Sequence, residues 1–238
     1  MLVSIVMATR NHAPLLARTL DSIYWQQTPL EFEVVITDDG STDSTATLLR
    51  NYRVRSFRLE KASYGNPARA LNNSLREARG DILIMQSDDV IPVHPRAMAA
   101  LALTLAPGEI GIASVQEWDT CEAFVTPLVH AGIHNKRPLF FLGACWRSDI
   151  CKIGGYDADA FEGCLWWHDN WLADCLTEGL GLTVAYPPIL ALHQSHQHPA
   201  VNLPGGKAIY DAMRKRAVYH TPTAPWKYVQ GVSVNGAM

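Results

Sequence analysis

Two adjacent carboxylates, Asp88 and Asp89, follow the apolar run Ile-Leu-Ile-Met at 82–85. Carboxylate oxygens are good ligands for Mg²⁺ or Mn²⁺, and these ions commonly bridge protein carboxylates to substrate phosphates. The alternative is a plain turn, in which one Asp caps the next helix and the other is solvated. The dipeptide alone is typical of such a turn, so a metal site requires further residues nearby.

A second acidic pair, Asp38 and Asp39, precedes Gly40 and Ser41. Asp-Gly is a turn signal and Ser or Thr residues cap helices, so this segment is typical of a strand–turn–helix junction. In a functional interpretation, one Asp accepts a hydrogen bond from a nucleotide base or ribose. The pair by itself leaves both interpretations open.

A third acidic residue, Asp169, follows the sequence Trp166-Trp167-His168 and lies in the first turn of a helix predicted over 168–178. The helix dipole stabilises an ionised carboxylate at this position. Such a carboxylate can act as a general base toward a hydroxyl, and a neighbouring aromatic face can stack on a sugar ring. A helix cap beside core aromatic residues explains the segment equally well.

Three histidines, His193, His196 and His198, occur within six residues. We expect these histidines to lie in a loop. A neutral imidazole from such a loop could complete a metal site that is otherwise formed by carboxylates. The HExxH pattern is absent and no Cys lies nearby, so a separate zinc site is disfavoured. We therefore expect at most one of the three to be a metal ligand.

The first hundred residues alternate short apolar runs with helix-like segments. This alternation predicts an α/β fold with a mostly parallel sheet that is covered on both faces. Ligands of such sheets collect at the carboxyl ends of the strands. The apolar runs are 2–8, 32–37 and 81–86; the helix-like segments are 14–26, 41–52 and 66–78.

Three polar clusters lie where these strands should end, which predicts one site on one edge of the sheet. The GxGxxG and GxxxxGK[ST] motifs are absent, which excludes the usual dinucleotide and P-loop sites. The helix at 41–52 should be capped by the cluster around Ser41, and the helix at 66–78 should stop at Gly80. The clusters are Thr9-Arg10-Asn11, Asp38-Asp39-Gly40-Ser41 and Ser87-Asp88-Asp89.

The second half of the chain is less regular. It contains β-like runs within 110–135 that could form a hairpin or edge strands. Further predictions are a short helix ending at Gly154-Gly155, a strand around 182–186, a last helix near 207–219 and extended coil from Thr221.

The chain has 238 residues, of which 48% are hydrophobic, and a net charge of −3. This length and composition are typical of a single globular domain. This charge favours neither nucleic acid nor an anionic membrane as a partner. The five cysteines include no CxxC pair, which predicts reduced thiols and a cytoplasmic setting. No apolar run reaches the length of a membrane span, so membrane contact should be at most peripheral. The basic run 214–216 is typical of a solvated helix face, with a lipid-phosphate contact as the alternative.

Four ordered blocks of the sequence resemble the family-2 inverting glycosyltransferases of the GT-A fold, over residues 2–196. The resemblance implies a catalytic domain at 1–200, with a nucleotide-binding part at about 1–110 and an acceptor-binding part at 111–200, followed by a C-terminal helix and tail at 201–238. It also implies a small antiparallel part on the acceptor side. The blocks are SIVMATRNH, VVITDDGSTDST, ALNNSLREARGDILIMQSDDV and GGYDADAFEGCLWWHDNWLADCLTEG.

The resemblance also implies roles for single residues. Asp39 would bind the nucleotide base, commonly uracil, Asp88 the ribose, and Asp89 an Mn²⁺ or Mg²⁺ ion that neutralises the diphosphate. Asp169 would be the general base toward the acceptor hydroxyl. His193 would be a further metal ligand, with His196 as the fallback. The nucleotide-sugar contacts would be Ala8, Thr9, Arg10, Asn11, Asp39, Arg69 and Asp88, and the acceptor contacts Trp166, Trp167 and His168.

The chain departs from the family pattern at two positions. Ser87 stands where many members carry the first Asp of Asp-x-Asp, and His168 stands where Glu usually precedes the base. Arg10 and Arg69 are either phosphate contacts or surface residues.

The substrates implied are a nucleotide sugar, commonly UDP-linked, and a glycan, lipid-linked or other hydroxyl acceptor, with a single sugar added. One alternative is a nucleotidyltransferase, although the segment Ala-Thr-Arg-Asn-His at 8–12 lacks the glycines of its usual loop. The other is an inactive domain that only binds nucleotide sugars.

Overall fold

A computed structural model describes residues 1–60, 65–118, 129–196, 204–219 and 232–233. Strands and helices alternate through the first half of the chain, as predicted. The strands are β1 (Leu2–Thr9), β2 (Glu31–Asp38), β3 (Arg55–Arg58), β4 (Ile82–Gln86), β5 (Val90–Pro92), β6 (Glu109–Ile112), β7 (Ser114–Trp118), β8 (Val129–Ala131), β9 (Leu142–Trp146), β10 (Thr183–Ala185), β11 (Leu190–Gln194) and β12 (Val232–Ser233).

Seven helices accompany these strands, and one of them continues into a π-helical turn at Cys175–Gly179. No helix in the described part of the chain is both long and apolar enough to cross a membrane. The helices are α1 (Ala13–Tyr24), α2 (Thr45–Leu49), α3 (Ala68–Glu77), α4 (Ala97–Leu103), α5 (Arg147–Ile153), α6 (His168–Asp174) and α7 (Lys207–Arg216).

The main sheet has eight strands in the order β10-β6-β9-β4-β1-β2-β3-β12. Its centre is parallel, because β1 pairs with β2 and β4, and β2 pairs with β3, all in parallel. Strand β9 runs antiparallel between β4 and β6. The fold class predicted from the sequence, an α/β fold with a mostly parallel sheet, is therefore confirmed.

Helices cover both faces of this sheet, which explains why its central strands are continuously apolar. Ile5 of β1 packs into a core with α1 and α4, whereas Val6 packs on the opposite face with α3, α5 and α6. All residues of β4 are buried. Because neighbouring parallel strands end at the same edge, the polar residues after β1, β2 and β4 are brought together there.

A second sheet of four strands, in the order β5-β11-β7-β8, lies beside this edge. Strand β7 pairs antiparallel with β8, which agrees with the hairpin predicted within 110–135, and residues 119–128 lie outside the described part. Strands β6 and β7 are separated only by Ala113, yet they belong to different sheets. The predicted nucleotide-binding and acceptor-binding parts share the main sheet, since β9 and β10 join it.

The predicted helix at 41–52 is much shorter in the structure, since α2 covers only Thr45–Leu49. The Asp43 carboxylate accepts hydrogen bonds from the backbone N–H of Thr45 and of Ala13, which ties the loop to the start of α1. Ser41 does not cap α2; its hydroxyl oxygen accepts a hydrogen bond from the Asn11 N–H at 2.9 Å. The segment before α2 is thus held as a loop at the ends of β1 and β2.

Gly80 does not stop α3, contrary to the prediction. The helix ends at Glu77, and Ala78 is already extended with ψ of 136°. Gly80 is instead needed for a close approach, because a Cβ at this position would lie 2.6 Å from the backbone nitrogen of Ser4. The strand pairing of β1 and β4 therefore depends on a residue without a side chain here.

Strands β3, β5, β9 and β11 were not predicted, because none of them stands out as an alternating or β-branched run. Residues Leu190–Gln194 form β11 where the His-rich loop was expected to begin, so His193 lies on a strand. The coil predicted from Thr221 lies outside the described residues, except for 232–233. There, Val232 and Ser233 form β12, which pairs antiparallel with Arg58 and Phe57 of β3. At this point the prediction of coil is wrong.

Candidate active site

A cavity of about 210 Å³ opens at the carboxyl ends of β1, β2 and β4. It brings together most of the side chains that the sequence singled out, from segments more than a hundred residues apart. Among the predicted site residues, it is lined by Ala8, Thr9, Arg10, Asp39, Asp88, Asp89, Trp166, His168 and Asp169, together with His196.

The two acidic residues at the end of β2, Asp38 and Asp39, have different environments. Asp38 turns away from the cavity, where its carboxylate accepts hydrogen bonds from the Arg58 guanidinium and, at 2.7 Å, from the Ser41 N–H. Asp39 is buried and borders the cavity. Its N–H donates to the Thr9 carbonyl at 2.8 Å, and the Arg10 guanidinium donates to the Asp39 carbonyl. Asp39 is therefore the member of the pair that is placed to meet a ligand.

Asn11 serves the loops rather than the cavity. Its backbone is left-handed, with φ of 55°, and its side-chain oxygen accepts a hydrogen bond from the Thr42 N–H at 2.7 Å. The residue thus joins the loop after β1 to the loop after β2, and it is not among the residues that line the cavity.

The pair Asp88-Asp89 lies in a turn between β4 and β5, and both side chains are buried. Nδ1 of His12 is 3.2 Å from each carboxylate oxygen of Asp88. Burial alone would lower the pKa of His12, but the hydrogen bond and charge of Asp88 raise it above its ordinary value. His12 thereby offsets part of the repulsion between the two carboxylates.

Asp89 is held through one oxygen only. Its Oδ2 lies 3.0 Å from Nε2 of His196 and 3.3 Å from Nε2 of His193. Burial acts to raise the pKa of Asp89, but the two histidines outweigh it and lower the pKa. The other oxygen, Oδ1, is buried and has no hydrogen-bond partner among the residues that the structure describes. A buried carboxylate oxygen without a partner is costly unless a ligand supplies one.

The histidines near Asp89 form two clusters of possible metal ligands. The first consists of His12, Asp89 and His196, whose ligand atoms all lie within 4.8 Å of one another. His196 lines the cavity, and His193 is not among the lining residues. His193 instead lies between Asp89 and Glu117, which raise its pKa to about 9 although burial lowers it. His198 lies outside the described residues.

Asp169 lines the same cavity, in the first turn of α6. The hydroxyl of Tyr156 is hydrogen-bonded to this carboxylate. Burial of Tyr156, followed by the charge and hydrogen bond of Asp169, raises the tyrosine pKa well above its ordinary value, so the hydroxyl stays a proton donor. The hydrogen bond fixes the direction of the Asp169 carboxylate.

His168 supports Asp169 from the other side. Its Nδ1 faces the Asn66 side-chain amide at 3.1 Å, and the Asn66 oxygen accepts a hydrogen bond from the Ala68 N–H. With the amide nitrogen as donor, Nδ1 is the acceptor and the ring hydrogen resides on Nε2. This Nε2 lies 3.5 Å from Oδ2 of Asp169. The His at this position therefore interacts with the predicted base.

The two predicted acceptor tryptophans have different environments. Both are left-handed, with φ of 58° at Trp166 and 68° at Trp167, which is unusual for bulky residues and often found at functional sites. Trp166 is 59% exposed and lines the cavity. Trp167 packs on Tyr210 of α7, with 5.0 Å between ring centroids. Only Trp166 is therefore available at the cavity wall.

Arg69 is not among the residues that line the cavity. Its guanidinium binds Asp159 at 3.0 Å and Glu162 at 2.8 Å, so the geometry gives no support to a phosphate contact. Arg10, the other candidate for a phosphate contact, lines the cavity.

Sequence reasoning missed several residues of this site. His12 directly follows the cluster at 9–11, and a wider window would have included it. Tyr156 belongs to the quoted Gly-Gly-Tyr-Asp segment, but nothing local indicated its bond to Asp169. Glu117 and His130 carry no sequence signal, because their proximity to His193 arises only from strand pairing.

Comparison with known proteins agrees with this fold. Residues 4–115 match the family model of glycosyl transferase family 2. The chain is 34% identical over 125 residues to validoxylamine A glucosyltransferase of Streptomyces hygroscopicus subsp. jinggangensis, an alignment that covers 50% of this chain and 29% of that protein. The chain thus spans less than a third of the length of this curated relative.

Two solved structures share the fold across nearly the whole chain. Staphylococcus aureus TarS in complex with UDP-GlcNAc superimposes with a TM-score of 0.67 at 19% identity, covering 92% of this chain and 66% of that one. The mannosyltransferase PcManGT of Pyrobaculum calidifontis, in complex with GDP-Man and Mn²⁺, gives 0.62 at 23% identity, covering 90% and 60%. Residues 4–115 therefore match glycosyl transferase family 2, and the chain has the GT-A fold of these two structures.

Proposed function

We propose that this protein is a metal-dependent inverting glycosyltransferase, which moves a sugar from a nucleotide diphosphate sugar to an acceptor hydroxyl. The observation that carries the proposal is the presence of both Asp89 and Asp169 in the lining of one cavity. One carboxylate is suited to a cation beside the leaving diphosphate, and the other to a general base. The relatives whose names include glucosyl- and N-acetylglucosaminyltransferases support this reaction class.

The nucleotide would occupy the edge formed by the ends of β1, β2 and β4. There, Asp39 would accept a hydrogen bond from the base, and Asp88 would accept one from the ribose hydroxyls. Ala8, Thr9 and Arg10 line the same part of the cavity. We propose a UDP-linked donor, consistent with the UDP-GlcNAc bound by TarS, although PcManGT binds GDP-Man.

The residues around Asp89 fit a divalent cation, Mn²⁺ or Mg²⁺. Its buried Oδ1 has no hydrogen-bond partner in the described part of the chain, and hard cations prefer carboxylate oxygen. Of His193 and His196, only His196 lines the cavity, so we favour His196 over His193 as a further ligand. A cation bound there would offset the negative charge that develops on the departing nucleotide diphosphate.

Asp169 would take the proton from the acceptor hydroxyl as its oxygen attacks the anomeric carbon of the donor sugar. Attack on the face opposite the departing diphosphate inverts that carbon. Tyr156 and His168 orient the carboxylate, which reduces the freedom it must lose in the transition state. The exposed indole of Trp166 offers a flat apolar face to the acceptor sugar or another hydroxyl compound.

The test is nucleotide release from UDP-glucose, UDP-GlcNAc and GDP-mannose, with Mn²⁺ and a panel of glycan and lipid-linked acceptors. We expect Asp169→Asn to lower acceptor-dependent release by about 10²–10⁴-fold, which is the usual contribution of a general base. The variant should keep the thermal stabilisation that the donor confers on wild type. Asp159→Asn, a change at an exposed carboxylate paired with Arg69, is the matched control.

Three results would contradict the proposal. Unchanged nucleotide release by Asp169→Asn would remove the assigned base. Pyrophosphate release from a nucleoside triphosphate and a sugar phosphate would instead identify a nucleotidyltransferase. Donor binding without turnover by wild type, across the panel, would indicate an inactive binding domain.

A further inference from the structure

A second cluster of metal-ligating side chains adjoins Asp89 through His193. It consists of Glu117, His130 and His193, none of which is among the cavity-lining residues. Oε2 of Glu117 is 2.7 Å from Nε2 of His130 and 2.8 Å from Nδ1 of His193. The three ligand atoms all lie within 4.8 Å of one another.

The three residues come from neighbouring strands of the four-stranded sheet. Glu117 lies on β7, His130 on β8 and His193 on β11, and β7 is hydrogen-bonded to both of the other strands. Residues on paired strands hold their positions more rigidly than residues on loops. The Glu117 side chain is 25% exposed and that of His193 10%, so an ion could enter from one side but would be largely enclosed.

The donor set selects a class of ion. Two imidazole nitrogens and one carboxylate oxygen suit Zn²⁺ and other first-row transition ions, whereas Mg²⁺ and Ca²⁺ prefer oxygen alone. Tetrahedral bonds of about 2.0–2.1 Å require ligand atoms about 3.3–3.4 Å apart. The Glu117 oxygen would therefore move back by roughly half an ångström from each ring nitrogen, which a carboxylate side chain can do without backbone change.

Groups around the cluster are placed as the outer shell of a metal site should be. Ligating histidines usually donate their second N–H to a carboxylate, which fixes the tautomer. Nε2 of His193 faces Oδ2 of Asp89 at 3.3 Å, and the other oxygen of Glu117 accepts a hydrogen bond from the Ser195 hydroxyl at 2.7 Å. The His130 ring packs against Phe141, with 5.1 Å between centroids.

We propose that Glu117, His130 and His193 form a transition-metal site of the Zn²⁺ class, separate from the cation proposed at Asp89. The fourth position is left to water. In this arrangement His193 binds its ion through Nδ1 and keeps its Nε2–H directed at Asp89. An ion at this site would hold Asp89 in place through His193, while Oδ1 of Asp89 stays directed away from the histidines. The second ion would therefore stabilise the position of Asp89 at the donor-binding part of the cavity.

The experiment is a Co²⁺ titration of the full chain, stripped with EDTA and with no nucleotide or Mn²⁺ present. We expect saturable binding with the visible absorption of four-coordinate Co²⁺ and without a thiolate charge-transfer band, which excludes the exposed Cys151 as ligand. Glu117→Gln and His130→Gln should each weaken binding by at least about tenfold. His94→Gln, a change at an exposed histidine, is the control and should bind as wild type does.

A second measurement keeps the proposal testable if one variant folds poorly. Zn²⁺ alone should raise the thermal midpoint of wild type and of His94→Gln, and it should raise that of Glu117→Gln by less, because only the site at Asp89 remains available to the ion in this variant. If Co²⁺ binds wild type, Glu117→Gln and His130→Gln alike, or binds wild type without saturation, the three residues form only a hydrogen-bonded support for Asp89. Mn²⁺-dependent donor binding by wild type, measured separately without Co²⁺ or Zn²⁺, tests the proposed transferase on its own, so failure of this site does not imply failure of the proposed transferase.

Discussion

Tyr156 and His168 show how single side chains determine the geometry of the proposed base. Tyr156 is almost fully buried, so its hydroxyl is costly to leave unpaired, and Asp169 is its hydrogen-bond partner. His168 is buried as well and is oriented by Asn66. Asp169 itself is 34% exposed toward the cavity, which leaves its carboxylate accessible to an acceptor hydroxyl.

Tyr156→Phe should lower kcat while leaving KM for the donor unchanged. The substitution keeps the aromatic packing and removes a hydrogen bond to a charged group, which contributes about 1.5–3 kcal/mol. If this interaction holds the base in its reactive orientation, kcat should fall by about 10–100-fold. Steady-state kinetics checks this, with the thermal midpoint as a control for folding. An unchanged kcat would show that Asp169 is oriented without the hydroxyl.

The pairing of β1 with β4 sets the position of the Asp88-Asp89 turn relative to the loop after β1. Val3 pairs with Ile82 and Val6 with Met85, and Gly80 comes just before this register begins. A Cβ on Gly80 would meet Ser4 N at 2.6 Å and Leu2 O at 2.8 Å, which are backbone atoms of β1. Only a shift of one strand relative to the other would relieve such contacts.

Gly80→Ala should therefore destabilise the protein by about 1–3 kcal/mol, the usual cost of forcing atoms into a packed region. The measurement is the free energy of unfolding from urea denaturation. Gly205→Ala is the matched control, because a Cβ there meets nothing within 4 Å, and it should change stability by less than about 0.5 kcal/mol. Equal stabilities of the two variants would mean that β1 and β4 can separate freely at this point.

The Glu33 carboxylate contributes to the stability of the whole molecule. Glu33 lies near the start of β2, at the end of the sheet opposite the cavity. Glu33 of β2 accepts hydrogen bonds from the Ser4 hydroxyl at 2.7 Å, the Arg79 N–H at 2.6 Å and the Arg55 guanidinium at 2.9 Å. Burial raises the pKa of Glu33, but these donors and the Arg55 charge together lower it below the ordinary value of 4.5. The carboxylate thus links β1, β2, β3 and the segment before β4.

Glu33→Gln should reduce the free energy of unfolding by about 1–3 kcal/mol at neutral pH, since hydrogen bonds to a charged group are lost. A lowered pKa in the folded state means that this stabilisation is present above pH 4.5 and disappears as pH falls through the folded pKa. Wild type and variant should then converge in acid. Urea denaturation across this pH range checks the sign, and Glu31→Gln at an exposed position of the same strand is the control.

The apolar runs at 2–8, 32–37 and 81–86 determined the parallel centre of the sheet by themselves. Their residues are mostly apolar without regular alternation, which is typical of strands that are buried on both faces. The polar residues after these runs had to meet, because parallel strands end at the same edge. The location of Asp39, Asp88 and Asp89 was therefore predictable from local sequence.

Tertiary structure alone decided which member of each group faces the cavity. Asp38 and Asp39 are neighbours in sequence, and the Arg58 guanidinium on β3 helps to hold the Asp38 carboxylate away from the cavity. His196 rather than His193 lines the cavity because β11 pairs with β7, which brings Glu117 to His193. Such contacts join residues up to 76 positions apart, and no local periodicity or composition encodes a contact at that separation.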